Sequence, residues 1–343
     1  MKKREYIEDS NKEKLMDDKI LKENLCEQAD GTTCKSFYIE KIKDMQYGEN
    51  KYQKAELYKS ELMLDYEVID NQELSFNNII SMTVVMDIVS EFYDVNAVAI
   101  VRHAKLCGAA LGKTIYDAYT KAFDCDPLSS YNGTIGFSKI VDVDVAKHVS
   151  SMSVKLIIAP DFEPEALNIL KETKDLKIVK LNTPLADYKD YLVEDIVITP
   201  FGTLVQNKNC SVLDKDLFKV VTKTKPTAEQ IEDAIFAWNL VKHAKTNAAV
   251  IAKDFKMLAV GQGYTNTLFA IERALDYACD DAKDAVLATD DVLFTEECIY
   301  AAAQGRISLI IQPGGSLKDN SLIEIANKYN IAMITTGIKN LKL

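Results

Sequence analysis

Val101-Arg102-His103-Ala104-Lys105-Leu106-Cys107-Gly108-Ala109-Ala110 follows a run of Val, Ile and Ala over residues 97–101. A short apolar run rich in β-branched residues reads as a buried strand. That strand delivers His103 beside the fixed cation of Arg102, and the small residues Cys107-Gly108 read as the turn that follows. His103 is one of three histidines, with His148 and His243, so a proton transfer near neutral pH has few carriers to draw on. A histidine at a strand end is often a buried residue bonded to a carbonyl; the neighbouring Arg102 and the turn favour an assembled site here. A Cys107–His103 nucleophile pair is disfavoured, because four residues on a turning chain give no assurance that thiol and ring meet.

Upstream, Ile79, Ile80, Met82, Val85, Met86, Val89 and Phe92 recur every three to four residues, which predicts an amphipathic helix over residues 77–92 feeding that strand. Downstream, strand-like runs at 154–159, 177–181, 248–252, 257–260, 285–288, 307–312 and 331–335 alternate with helical patterns at 114–123, 164–172, 226–243, 264–278 and 319–329, and with one ending at 304. Such alternation implies sheets covered by helices on both faces. The reading is α/β: a leader over 1–40, partly helical or frayed, then two α/β/α units over 41–215 and 216–343, with a boundary near 210–226.

The chain has 343 residues, 48% hydrophobic and 27% charged, enough for two modest cores. No apolar run approaches the ~20 residues of a helical membrane span, and Met1-Lys2-Lys3-Arg4-Glu5-Tyr6 has no apolar core behind it, so a cytoplasmic location is expected. A formal charge of −11 argues against nucleic-acid backbone binding while leaving room for a local basic pocket. Seven cysteines without CxxC pairs predict free thiols and no thiolate metal cluster, and no HxE pattern follows any histidine, so no zinc site is expected.

Two further segments join a strand end to a helix start, where backbone N–H groups can converge on an anion. Gly261-Gln262-Gly263 taken alone favours a plain tight turn. For Ile311-Gln312-Pro313-Gly314-Gly315-Ser316 the structural turn and the ligand loop stand level. Asn247, where a helix hands over to a strand, can offer donor and acceptor to a polar ring, and equally reads as a turn residue. Asp290-Asp291 and Glu296-Glu297 read as solvated faces or helix-start charges.

Taken in order, these segments resemble a known family. Tyr47-Gly48-Glu49-Asn50, Glu73-Leu74-Ser75-Phe76-Asn77-Asn78-Ile79, Arg102-His103-Ala104, Asp126-Pro127-Leu128-Ser129-Ser130, Ile157-Ile158-Ala159-Pro160, Val221-Thr222-Lys223, Lys245-Thr246-Asn247-Ala248, Gly261-Gln262-Gly263 and Ile311-Gln312-Pro313-Gly314-Gly315-Ser316 resemble the landmarks of aminoimidazole carboxamide ribonucleotide (AICAR) transformylase. That is the formyltransferase domain of the bifunctional purine-biosynthesis enzyme that also carries inosine monophosphate cyclohydrolase. The resemblance covers residues from about 44 to 343, with a short leader expected in place of the cyclohydrolase domain.

The resemblance implies two subdomains of cytidine-deaminase-like α/β/α architecture without the zinc, a homodimer with interfacial active sites, and formyl transfer from 10-formyltetrahydrofolate to the 5-amino group of AICAR, without a metal. It implies His103 as the proton-transfer residue with Arg102 beside it and Asn247 orienting the reacting groups. It places substrate at Tyr47, Gly48, Lys245, Gly261, Gly263, Thr267 and Lys339, and folate at Pro313, Gly314, Gly315 and Ser316. The chain also departs from the family pattern. Gln46, Arg102, Thr267 and Lys339 stand where an arginine, a lysine, an arginine and an arginine are usual, Lys155 reverses an acidic position, and the aromatic motif is reduced to Thr289-Asp290-Asp291-Val292-Leu293-Phe294-Thr295. A charged hydrogen bond contributes ~1.5–3 kcal/mol, so two lost arginines would weaken nucleotide binding by orders of magnitude unless Lys155 or Lys105 compensates. The departures keep a second reading open: a catalytically silent paralogue that binds nucleotide or folate, or pairs with an active subunit.

Overall fold

The structure, a computed structural model, describes residues 25–27, 33–35, 39–60, 62–192, 194–213 and 218–343. The expected leader therefore lies almost wholly outside the described residues, as does part of the expected boundary. The described residues divide into two units, one of which holds those within 1–43 and 57–61 and includes β1 (Leu25–Glu27) paired antiparallel with β2 (Thr33–Lys35). Residues 44–56 with 62–343 form the other. β3 (Glu40–Met45) and β4 (Ala55–Lys59) make a two-stranded sheet.

In the larger unit the chain runs through β5 (Tyr66–Val68), α1 (Phe76–Val89), β6 (Asn96–Arg102), β7 (Lys105–Gly112), α2 (Ile115–Phe123), α3 (Pro127–Ser130), β8 (Thr134–Phe137), α4 (Val143–Ser150), β9 (Leu156–Ala159), α5 (Pro164–Lys171) and β10 (Lys177–Leu181). A hairpin of β11 (Glu194–Thr199) and β12 (Gly202–Asn207) follows. Then come β13 (Lys219–Val220), α6 (Ala228–Val241), β14 (Ala249–Lys253), β15 (Lys256–Gly261), α7 (Thr267–Ala278), β16 (Val286–Thr289), α8 (Glu296–Gln304), β17 (Leu309–Gln312), α9 (Asp319–Lys328) and β18 (Ala332–Thr335).

Among the described residues twelve strands join one sheet in the order β13-β18-β17-β16-β14-β15-β7-β6-β8-β9-β10-β5. From the central antiparallel β15–β7 contact the order reads alike in both directions. Each half has an antiparallel hairpin, a third strand antiparallel to its first, two further parallel strands and an antiparallel edge. A bulge interrupts the equivalent step of both hairpins, at Ile100/Val101 and Ile251/Ala252. The sheet therefore repeats one strand pattern in its two halves, a relation the sequence does not display.

Burial follows the same plan. α1 and α6 cover one face with a continuous core that includes Val85, Val89, Ala237 and Val241 against Ala99, Leu156, Val250 and Leu309. On the opposite face α2, α4 and α5 pack over Ile100, Ile135 and Ile157, and α7, α8 and α9 over Ile251, Leu287 and Ile310. Strands sandwiched in this way are apolar on both sides, which is why residues 97–101 show no alternation. Both face-covering helices begin with reciprocal caps, Ser75 with Asn78 and Thr227 with Gln230.

The predicted helices and strands appear within a few residues of their expected limits; the helix of residues 77–92 ends at Val89 and closes with a 3-10 turn, Ser90–Phe92. Two local readings are corrected. Asp290, expected on a solvated face, is fully buried and accepts the Ala248 N–H at 2.7 Å. Cys107-Gly108 is not a turn but the interior of β7; the turn is His103-Ala104 itself, with φ of 50° and 56°. Two successive residues at positive φ between paired Arg102 and Lys105 form a two-residue hairpin of the type whose twist matches that of its strands. Gly108 is small for another reason: a Cβ there would sit 2.1 Å from the Ala122 carbonyl oxygen, where α2 lies against the strand. The equivalent turn, Asp254-Phe255, also has φ of 53° and 56°, and there Asp233 of α6 accepts both N–H groups at 2.9 and 2.8 Å. Among the described residues no helix is long and apolar enough to cross a membrane.

Candidate functional site

The three histidines have distinct fates. His148 Nδ1 lies 2.9 Å from the Tyr119 hydroxyl, within an aromatic cluster with Phe123. His243 Nε2 lies 3.0 Å from Glu91 Oε1 in a buried ionic group. His103 alone of the three is exposed, and among the described residues nothing hydrogen-bonds its ring. Non-glycine residues at positive φ cost ~1–3 kcal/mol, and such strain tends to mark functional positions.

Two clefts meet at Arg102 and His103. The larger, of about 610 Å³, is lined by Tyr47, Asn77, Asn132, Thr134 and Lys155 as well. The smaller, of about 330 Å³, adds Lys105, Asp126, Met257, Gln262 and Tyr277. Arg102 donates through Nη1 to the Tyr131 carbonyl. Gln262 Nε2 donates to the Leu106 carbonyl at 2.7 Å, fastening the end of β15 beside the start of β7. The glycine-rich turn of the second repeat is thereby brought to the His103 hairpin of the first. Tyr47 reaches the larger cleft from a tight turn in which Gly48 N–H donates to the Gln53 carbonyl at 2.8 Å.

Asn247 heads a second group. Its Oδ1 accepts from Thr267 Oγ1 at 3.3 Å and its Nδ2 donates to the Tyr264 carbonyl at 3.1 Å. Gly263 N–H donates to the Lys245 carbonyl at 2.8 Å, so Lys245, Asn247, Gly263 and Thr267 form one cluster. Gly261 is held small by α7, since a Cβ would come within 2.0 Å of the Ala270 oxygen, and Gly263 by its φ of 75°. Lys245 Nζ donates to the Leu343 carbonyl, and Lys339 Nζ pairs with Asp291 at 2.8 Å.

The Pro313–Gly314–Gly315–Ser316 loop has the positive φ angles expected, 73° at Gly314 and 93° at Gly315. Its N–H groups are occupied: Gly315 and Ser316 donate to the Asp319 carboxylate at 2.7 and 3.2 Å, and Gly314 to Gln312 Oε1 at 3.3 Å. Asp319 thus satisfies the donors of its own loop. Among the described residues no hydrogen bond joins His103 to Asn247 or to this loop.

Thiol chemistry beside His103 is disfavoured. Cys107 donates to the Ile100 carbonyl at 3.3 Å and burial raises its thiol far above the ordinary range. Cys125 donates to the Met257 carbonyl, and burial pushes it up to about 12. Sequence reasoning missed the Gln262–Leu106 link and Asn132, and singled out Lys155 without placing it on the His103 cleft; only strand order could have served as a signal.

The family described as AICARFT/IMPCHase bienzyme matches residues 6–277. The bifunctional purine biosynthesis protein PurH of Caldicellulosiruptor saccharolyticus is 40% identical over 311 residues, 89% of this chain and 60% of that protein. PurH of Thermoanaerobacter sp. (strain X514) is 41% identical over 311 residues, 90% of this chain and 60% of that protein. The chain thus spans about 60% of the length of these curated relatives. A solved structure, Acinetobacter baumannii RibD, form 2, aligns over 31% of this chain and 34% of its own at 15% identity and a TM-score of 0.23, too low to bear on the fold. On the strength of the family match and the similarity to PurH proteins, the chain belongs to the AICARFT/IMPCHase bienzyme family.

Proposed function

We propose that the chain transfers a formyl group from 10-formyltetrahydrofolate to the 5-amino group of AICAR, as a cytoplasmic enzyme of purine biosynthesis. The observation that carries this reading is the open, strained His103 beside Arg102, reached from two clefts. The attacking amine is conjugated to the imidazole ring and is a weak nucleophile, so it needs a base as it attacks. The amine nitrogen bonds to the formyl carbon, His103 takes the amine proton, the carbon–N10 bond breaks, and N10 of the released tetrahydrofolate takes up a proton. Arg102, always charged, stabilises the oxyanion on the formyl carbon and does not itself transfer the proton. Asn247 is the orienting residue, its amide held by Thr267 and Tyr264. Tyr47, Gly48, Lys245, Gly261, Gly263, Thr267 and Lys339 are assigned to the nucleotide, and Pro313, Gly314, Gly315 and Ser316 to the folate.

The two repeats are proposed as the cytidine-deaminase-like subdomains, divided within the 41–215 and 216–343 scheme. Dimerisation is supported by the β11–β12 hairpin, which exposes Ile198, Phe201 and Leu204 at 83%, 100% and 64%. One observation favours the alternative of a silent, ligand-binding paralogue: the donors of the Pro313–Ser316 loop are already occupied by Asp319. Spectrophotometric release of tetrahydrofolate decides. Formyl transfer that falls ~10²–10⁴-fold in a folded His103→Ala variant supports the enzyme; tight binding without turnover supports the paralogue.

A further inference from the structure

The two halves of the sheet meet where β15 lies beside β7. Among the described residues their ladder registers Lys256 with Ala110, and next to it the Leu111 N–H donates to the Phe255 carbonyl at 2.9 Å. The ladder does not continue toward the His103 end. There the cleft of about 330 Å³ is lined by both strands, Leu106 and Cys107 of β7 with Met257, Ala259 and Val260 of β15. Four residues along β7 from Ala110, ~13 Å at strand rise, a side chain takes over from the backbone: Gln262 Nε2 donates to the Leu106 carbonyl at 2.7 Å. Leu106 is buried, and a buried carbonyl requires a partner, so this bond replaces the ladder bond that the parted strands no longer supply. The hairpin carrying His103 is thus held from two sides. β6 is tied to β8 as far as Val101, opposite Thr134, and β7 is tied to the second half at Leu106. Both residues of the turn sit at positive φ, a conformation that persists only where its surroundings impose it.

Gln262 also belongs to the Asn247 segment. It precedes Gly263, whose N–H donates to the Lys245 carbonyl at 2.8 Å, and it stands two residues before Tyr264, whose carbonyl accepts from Asn247 Nδ2 at 3.1 Å. We infer that Gln262 is a positioning residue, which fixes the His103 hairpin relative to Asn247. It acts through the Leu106 carbonyl and touches no reacting atom. This deepens the formyl-transfer reading by naming what keeps the base and the orienting amide in register, and it rests on that reading for the reaction.

The test has two arms, both on the full chain. In amide hydrogen exchange, Gln262→Ala should speed exchange over residues 103–107 by ~3–10-fold, the effect of one lost neutral hydrogen bond, while the Lys256–Ala110 end of the junction stays as protected as in wild type. In turnover of AICAR with 10-formyltetrahydrofolate, the same variant should lose ~10–100-fold in kcat with both KM values within ~3-fold of wild type, because a base displaced by ~1 Å loses about that much. Gln262→Glu keeps the length but offers a carboxylate that only accepts, so at neutral pH it should match Gln262→Ala in both arms. Unchanged exchange over residues 103–107, an unchanged kcat, or a loss confined to KM would overturn the assignment. Wild type without turnover, combined with faster exchange in the variant, sinks the enzymatic reading and leaves the bridge standing.

Discussion

Replacing Glu91 by glutamine should destabilise the protein more than any exposed substitution. Glu91 follows α1 of the first repeat, while Lys242 and His243 follow α6 of the second, so the group ties the halves together. Glu91 Oε1 lies 2.5 Å from Lys242 Nζ and 3.0 Å from His243 Nε2, and Oε2 lies 2.8 Å from Lys189 Nζ; the Glu91 and Lys242 side chains are 6% and 2% exposed. Burial acts to raise the carboxyl, but the hydrogen bond to His243 and the charges of Lys242 and Lys189 outweigh it and hold it at about 2 against an ordinary 4.5. At ~1.4 kcal/mol per pH unit that gap corresponds to about 3 kcal/mol, at the low end of the ~3–5 kcal/mol lost when one partner of a buried pair is removed. The depressed carboxyl contributes fully above pH 4.5, and the contribution is lost as pH falls toward 2. Urea unfolding at pH 7 should therefore show a loss of about 3 kcal/mol for Glu91→Gln. The double variant Glu91→Gln/Lys242→Met should recover part of it, since no buried ammonium is then left unpaired. A loss below ~1 kcal/mol for the single variant would refute the reasoning, because it would put these charges in contact with water.

Three other outcomes are expected. Burial lowers His243 below 6.5 against the opposing pull of Glu91, so its contribution to stability is complete above pH 6.5 and declines as pH falls below it; melting temperatures between pH 7.5 and 5 should show the decline, and His243→Gln should flatten it. Gly261→Ala should cost ~1–3 kcal/mol or more by forcing α7 from the sheet, read as a lower urea midpoint, whereas an unchanged midpoint would contradict the close approach. With Ellman reagent, exposed Cys279 should react in the native protein, while buried Cys107 should react only on unfolding.

The α/β alternation was legible because sandwiched strands are continuous apolar runs and their helices keep a 3.6-residue period. The His103 turn was not. Type I′ hairpins are usually announced by Asn-Gly or Asp-Gly, whereas here His103-Ala104 and Asp254-Phe255 take positive φ without that signal. Gly108 was misplaced for a related reason: its smallness answers to Ala122 on a helix that sequence cannot set against the strand. The Gly261 to Gly263 turn was found as a local motif, but its proximity to Leu106 depends on β15 pairing with β7, a contact between chain segments 156 residues apart. The occupation of the Pro313–Ser316 loop by Asp319 was equally hidden, since Asp319 reads as the first residue of a helix.

The paired turns invite one last comparison. Asp233, six residues past the Thr227 cap, staples Asp254 and Phe255 to α6; six residues past the Ser75 cap stands Ser81, which lines the larger cleft beside His103 and makes no such staple. A shorter side chain at one place opens the floor that its twin closes. Duplication thus leaves the molecule with a workbench and a brace built to the same drawing.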